Sequence, residues 1–177
     1  MKKIILLLFF TLVYSQEGIS QNTFFIGEKM YPCTETFTLT SNSKNYTGYD
    51  LDVLIAKNGQ AGFIVVSTER SSVFIKGKLV IYLEDGTIIS CTDIGIYDYV
   101  DNTATTVYYL TNAEIEKMKM KNINTIRFSL KCGKCTSSSE EGNYSVSNND
   151  RETGFGIMKR EIIEKIDFPS IIEELFD

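Results

Sequence analysis

The sequence predicts an α+β or mainly β domain. An antiparallel β-meander forms a sandwich or strongly curved sheet, with one crossover helix and C-terminal helices; a closed barrel is the alternative. Three observations carry this expectation. Short runs alternate between apolar and polar residues, as where Phe37 and Leu39 are flanked by Thr36, Thr38 and Thr40. Between such runs stand Asn58-Gly59 and Asp85-Gly86, dipeptides that tolerate the positive φ angles of tight hairpin turns. Within the strand pattern, Thr111-Asn112-Ala113-Glu114 opens like a helix, its Thr hydroxyl and Glu carboxylate placed to satisfy each other's backbone amides.

Taken in order, Thr23 to Tyr31 is a first edge strand, and Pro32 fits an edge or turn because it lacks an amide donor. Glu35 to Ser41 is a half-buried strand, and Asn42 to Tyr49 is a polar loop. Leu51, Val53 and Ile55 alternate along the next strand, which Asn58-Gly59 turns back into Gly62 to Val66. The central stretch runs from Ser72 to Leu130. It starts with a long strand, Val73 to Leu83, with a bulge or bend at Gly77. Ile88 to Tyr97 returns, Tyr99 to Ala104 is a polar connection, and Thr105 to Leu110 is a further strand. The helix covers Ala113 to Lys121, with Ile115 and Met118 on one face, and Ile123 to Lys131 follows with Ile126, Phe128 and Leu130 inward. From 134 to 151 the chain has few apolar residues and reads as a mobile loop. A helix from Ile157 to Ile166 and a second, short one starting near Pro169 close the chain. The strand total comes to about seven or eight.

The N-terminus reads as a secretory signal peptide. Lys2 and Lys3 precede an apolar run from Ile4 to Val13, and small residues follow at Ser15 and Ser20. Cleavage after Ser15 is expected, with Ser20 as the alternative, which leaves 23–177 as a single β-rich domain. The run is about half the length that a spanning helix needs. The mature chain is therefore expected to have no membrane span and to be exported, either periplasmic or extracellular.

Composition excludes several mechanisms. The chain has no His, which removes Ser-His-Asp and Cys-His nucleophile arrangements, His-ligated zinc and His general bases. The absence of Trp removes indole platforms for sugars. Net charge is −5, and loss of the two leader lysines takes it to −7. An acidic chain without a basic face is not built for nucleic acid or for anionic membranes.

The four cysteines, Cys33, Cys91, Cys132 and Cys135, admit three chemistries. In an exported chain an even count first points to two structural disulfides, whose pairing the sequence leaves open. The Cys132-Gly133-Lys134-Cys135 spacing also matches a thiol–disulfide motif, although it follows a strand and lacks the helix N-terminus that lowers a thiol pKa. A four-thiolate zinc site would need a second such pair, and none is present. Asp93, Asp98, Asp101 and Asn102 form an acidic turn whose spacing matches no calcium loop. Tyr97, Tyr99, Tyr108 and Tyr109 form a candidate aromatic ligand face if adjacent strands bring them together. Asn45-Tyr46-Thr47 and Asn143-Tyr144-Ser145 match the N-glycosylation pattern in expected loops. No catalytic residue, metal site or cofactor is assigned.

The Asp85-Gly86 hairpin, the helix start from Leu110-Thr111 to Glu114 and the run Ile123-Asn124-Thr125-Ile126-Arg127-Phe128 resemble small exported β-rich proteins of Bacteroidetes-type bacteria. Those join a "DG" hairpin, an "LT-x-x-E" helix start and an "I-x-x-IRF/Y" strand. The resemblance implies an exported β-rich fold and no particular activity, so no site residue is carried over. The leading functional expectation is a non-enzymatic binding or structural module for a protein, a surface component or a small ligand. The alternatives are a thiol–disulfide protein using Cys132 and Cys135 and a carboxylate-based hydrolase using acids such as Asp93, Asp98 or Asp101.

Overall fold

The structure is a computed structural model that describes residues 22–42, 49–70, 72–133, 141–148 and 165–177. The expected leader lies outside the described residues, as does the expected helix from Ile157 to Ile166 except for Lys165 and Ile166, which are not helical. Among the described residues the chain forms twelve strands and two helices. The strands are β1 (Asn22–Ile26), β2 (Lys29–Cys33), β3 (Phe37–Ser41), β4 (Leu51–Asn58), β5 (Ala61–Glu69), β6 (Val73–Ile75), β7 (Leu79–Leu83), β8 (Ile88–Cys91), β9 (Asp93–Val100), β10 (Thr103–Leu110), β11 (Ile123–Cys132) and β12 (Gly142–Ser147). Helix α1 (Asn112–Met120) joins β10 to β11, and α2 (Phe168–Phe176) ends the chain.

All strand pairings are antiparallel. They follow the order β8-β7-β11-β12-β3-β4-β5-β10-β9, with β6 on β11 and the β1–β2 hairpin attached through β4. The sheet curls until it nearly closes: the Thr106 hydroxyl of β10 donates to the Ile75 carbonyl of β6 at 2.8 Å. The mainly antiparallel sheet with a crossover helix and a C-terminal helix is thus the architecture present. Barrel and sandwich are two descriptions of this one nearly closed sheet.

Strand alternation places the core. Leu51, Val53 and Ile55 of β4 share one face with Ile64 and Val66 of β5, and these meet Ile81 of β7 and Ile126, Phe128 and Leu130 of β11. Each such side chain contributes about 1.5–3 kcal/mol on full burial. The reverse face of β4, β5 and β10 carries a second, smaller cluster of Cys33, Ala56, Phe63, Val65 and Val107, against which Phe24, Ile26 and Tyr31 of the β1–β2 hairpin pack.

Helix α1 begins at the expected capping box. The Thr111 hydroxyl accepts from Glu114 N–H and the Glu114 carboxylate accepts from Thr111 N–H, so two otherwise unpaired donors are met. The N-cap of α2 is Asp167, with Pro169 in its first turn. Phe168, Ile172 and Leu175 seal one end of the core. The Phe176 ring approaches β5 so closely that a side chain at Gly62 would sit 3.0 Å from it.

Several strand assignments depart from the sequence expectation. The run Val73 to Leu83 is two strands, broken where Gly77 adopts φ +89°. Residues 99–104 are almost wholly strand. The turn there is only Asp101-Asn102, with φ of +50° and +64°, the left-handed pair that a tight hairpin requires. The expected loop over 134–151 contains β12, in which Val146 is buried and Tyr144 packs on the core. Strand β12 holds because it is hydrogen-bonded on both sides, to β11 and to β3, although its sequence is polar. Asn143 accordingly lies in a strand, where it accepts from the Ser129 hydroxyl at 2.6 Å. Asn45-Tyr46-Thr47, Cys135 and the remainder of 134–151 lie outside the described residues, except for Glu141 and Asn148, which flank β12.

Asn148 follows β12 and organises the approach to α2. Buried at 3% exposure, it donates to the carbonyls of Ile123 and Ile166 and accepts from Ile166 N–H. Asn122 adds a donation to the Ile166 carbonyl and accepts from Phe168 N–H. Two amides thus fasten the C-terminal segment to the start of β11. Among the described residues, no helix is long and apolar enough to cross a membrane.

Candidate functional site

Among the described residues, strand β9 ends the hydrogen-bonded order and pairs with β10 alone. An edge strand presents a row of main-chain donors and acceptors, and native sheets normally protect such a row. This one spans eight residues, with Ile94, Tyr97 and Val100 exposed at 39%, 56% and 57%. Tyr97 and Val100 lie on opposite faces of the strand, so apolar surface is exposed on both sides of this edge.

Local chemistry shapes the edge. Gly95 adopts φ +75° beside the register shift between Val107 and Tyr108, so a bulge separates Asp93 from Ile96. The Asp93 carboxylate accepts from Gly95 N–H at 2.7 Å, and the Asp98 carboxylate accepts from Tyr99 N–H at 2.7 Å. The acidic residues therefore act as local backbone caps. Among the described residues no group of three or more acids and cysteines is placed to hold a metal ion.

One face of β9 meets β6. The Tyr99 and Phe74 rings lie 5.6 Å apart, and the Lys76 ammonium stands 5.7 Å from the Phe74 ring and 5.4 Å from the Tyr97 ring. Such contacts contribute about 0.5–1 kcal/mol at exposed sites. The Tyr99 hydroxyl accepts from Ser72 N–H at 2.8 Å and donates to the Asn102 side chain at 3.2 Å. Gly133 lies under the Phe74 ring, where any β-carbon would overlap it. The turns at Ser72 and Asn102 and the end of β11 converge on this patch.

The four tyrosines do not form one ligand face. Tyr97 and Tyr99 belong to the patch just described. Tyr108 is fully buried in the main core, and Tyr109 lies on the opposite face of β10, 6.0 Å from the Phe63 ring. Consecutive residues of a strand point to opposite faces, so Tyr108 and Tyr109 cannot act together. Phe74 and Lys76, which complete the patch, carried no signal in the sequence beyond their place in a strand.

The cysteines likewise divide. Cys33 and Cys91 are free thiols, both buried, so the four cysteines do not make two disulfides. The reason is topological: Cys91 lies in the main core and Cys33 in the second cluster, with the sheet between them. Burial pushes both thiols up. Cys91 reaches about 12, with Glu114 adding to the effect, so neither is an activated nucleophile or a ready metal ligand near neutrality. The chain matches no protein-family model, no curated protein and no solved structure.

Proposed function

We propose that this chain is an exported, non-enzymatic binding module whose contact surface is the open edge of β9 with the Tyr97–Phe74–Tyr99 patch beside it. The observation that carries the reading is the exposure of Ile94, Tyr97 and Val100 on a strand that, among the described residues, has a sheet neighbour on one side only. Export is supported by the basic and apolar leader pattern at Lys2 to Val13, and the resemblance to exported β-rich proteins agrees with it. A binding role fits side chains whose polar groups are occupied by structural bonds: Asp93 and Asp98 cap backbone amides, and Cys33 and Cys91 are buried as thiols.

A photoreactive phenylalanine analogue placed at Tyr97 tests this in the expressing cell. The same analogue at exposed Glu173 on α2 serves as the control. The expected result is an adduct of discrete mass from position 97 and none from position 173. No adduct at 97, or the same adducts from both positions, would remove the edge as a contact surface.

A further inference from the structure

We propose that β9 receives an extended, basic protein segment by strand addition, which makes its occupant a further strand of the sheet. The inference rests on the reading of β9 as the binding surface and names the partner class. The β9–β10 turn is two residues, Asp101-Asn102, so the flanking pair Val100 and Thr103 exchanges main-chain hydrogen bonds. Alternation then turns the N–H and C=O of Tyr97 and Tyr99 away from β10, toward the open side. The Tyr99 amide is met there by the neighbouring Asp98 carboxylate. Strand addition exchanges that local cap for a ladder bond, and Asp98 becomes available to an incoming cation.

Charge decides the occupant. Asp93, Asp98 and Asp101 fall within one short stretch of a chain whose net charge is −5. A second copy of β9 brings the same acids. Antiparallel pairing of Tyr97 with Tyr99 of the copy sets Asp98 opposite its own copy. Like charges directly opposite across a ladder are destabilising. A segment alternating Lys or Arg with large apolar residues suits both features of the edge. Its cations lie on the face of Asp98, and its apolar side chains lie on the opposite face, over Tyr97 and Tyr99. Main-chain bonds supply affinity in this mode, and alternate side chains supply selectivity.

The experiment uses the mature chain and three ten-residue peptides. The first alternates valine and lysine, the second has glutamate for lysine, and the third is the lysine peptide N-methylated on alternate amides. Titration calorimetry gives affinity, and amide hydrogen exchange followed by NMR reports on Tyr97 and Tyr99. The lysine peptide is expected to bind at least about tenfold more tightly than the glutamate peptide, to weaken with salt and to slow exchange at Tyr97. The N-methylated peptide is expected not to bind, and Asp98→Lys is expected to abolish the lysine preference while leaving the fold spectrum unchanged. Equal binding of the two charge types, or retained binding of the N-methylated peptide, overturns strand addition by a basic segment. Concentration-dependent protection of Tyr97 without any peptide also overturns it, in favour of a second copy. Loss of the proposal with the cross-link at Tyr97 intact leaves the binding-module reading standing; loss of both removes both.

Discussion

Tyr108 offers the most direct check of the core, because its hydroxyl is buried without a partner. The residue is 0% exposed, and among the described residues nothing meets its phenolic oxygen. It sits on β10 between Ile64 of β5 and Asp93 of β9. Burial, with smaller contributions from Asp93 and Cys91, pushes its ionisation well above the usual phenol range. In the unfolded chain that hydroxyl is hydrogen-bonded to water. Folding strips the water away and returns nothing, a loss of about 1–3 kcal/mol by mutational measures.

Tyr108→Phe removes the oxygen and keeps the ring, so the penalty disappears and the void left is no larger than the hydroxyl. The expected gain is about 1 kcal/mol, the low end of that range, because a small void replaces the oxygen. For a chain of this size such a gain raises Tm by about 2–4 °C. Urea unfolding followed by near-ultraviolet circular dichroism measures it; with no Trp in the chain, the signal comes from the packing of tyrosine and phenylalanine rings. The slope with urea should not change, since the surface exposed on unfolding is the same. A loss of stability of about 0.5 kcal/mol or more would refute the reasoning, because it would mean that the hydroxyl is bonded in the folded protein.

Two further outcomes follow from the same structure. The Cys91 thiol ordinarily ionises near 9.0 and is pushed up to about 12 in the fold. The unfolded thiol therefore loses its proton first, and this contribution to stability is complete below pH 9 and disappears as the pH rises toward 12, by as much as about 4 kcal/mol. Unfolding midpoints collected from pH 8 to 11 should fall more steeply for the native chain than for Cys91→Ala, and parallel slopes would contradict the burial of that thiol. Asn148→Ala strips the partners from Ile166 N–H and from the Ile123 carbonyl, so a loss of about 2–3 kcal/mol is expected, with faster amide exchange in α2. A variant as stable as the parent would show that Asn148 does not fasten the C-terminal segment.

What the sequence made legible is what local chemistry decides. Thr111 and Glu114 cap a helix whatever surrounds them, and the threonine alternation around Phe37 and Leu39 marks a strand with one wet face. Legibility ended where neighbours decide. Strand β12 has the composition of a loop, and only pairing on both sides makes it a strand. In Val107-Tyr108-Tyr109-Leu110 every residue is apolar or aromatic, so alternation alone cannot tell which tyrosine is inside; the pairing with β5 settles it. The cysteine count suggested pairing, but Cys33 and Cys91 ended on opposite faces of the sheet.

The edge of β9 shows the same limit in its sharpest form. Ile94, Ile96 and Tyr97 read as a strand to be buried, and burial on both sides would have made Asp93 and Asp98 intolerable there. Placing the strand last in the sheet resolves the conflict, since each carboxylate can then turn back on its own backbone, at Gly95 and Tyr99. Charged side chains on an edge are one of the devices by which sheets limit pairing with further strands. Apolar and acidic residues share β9 because it ends the described sheet order, where main-chain amides meet both carboxylates.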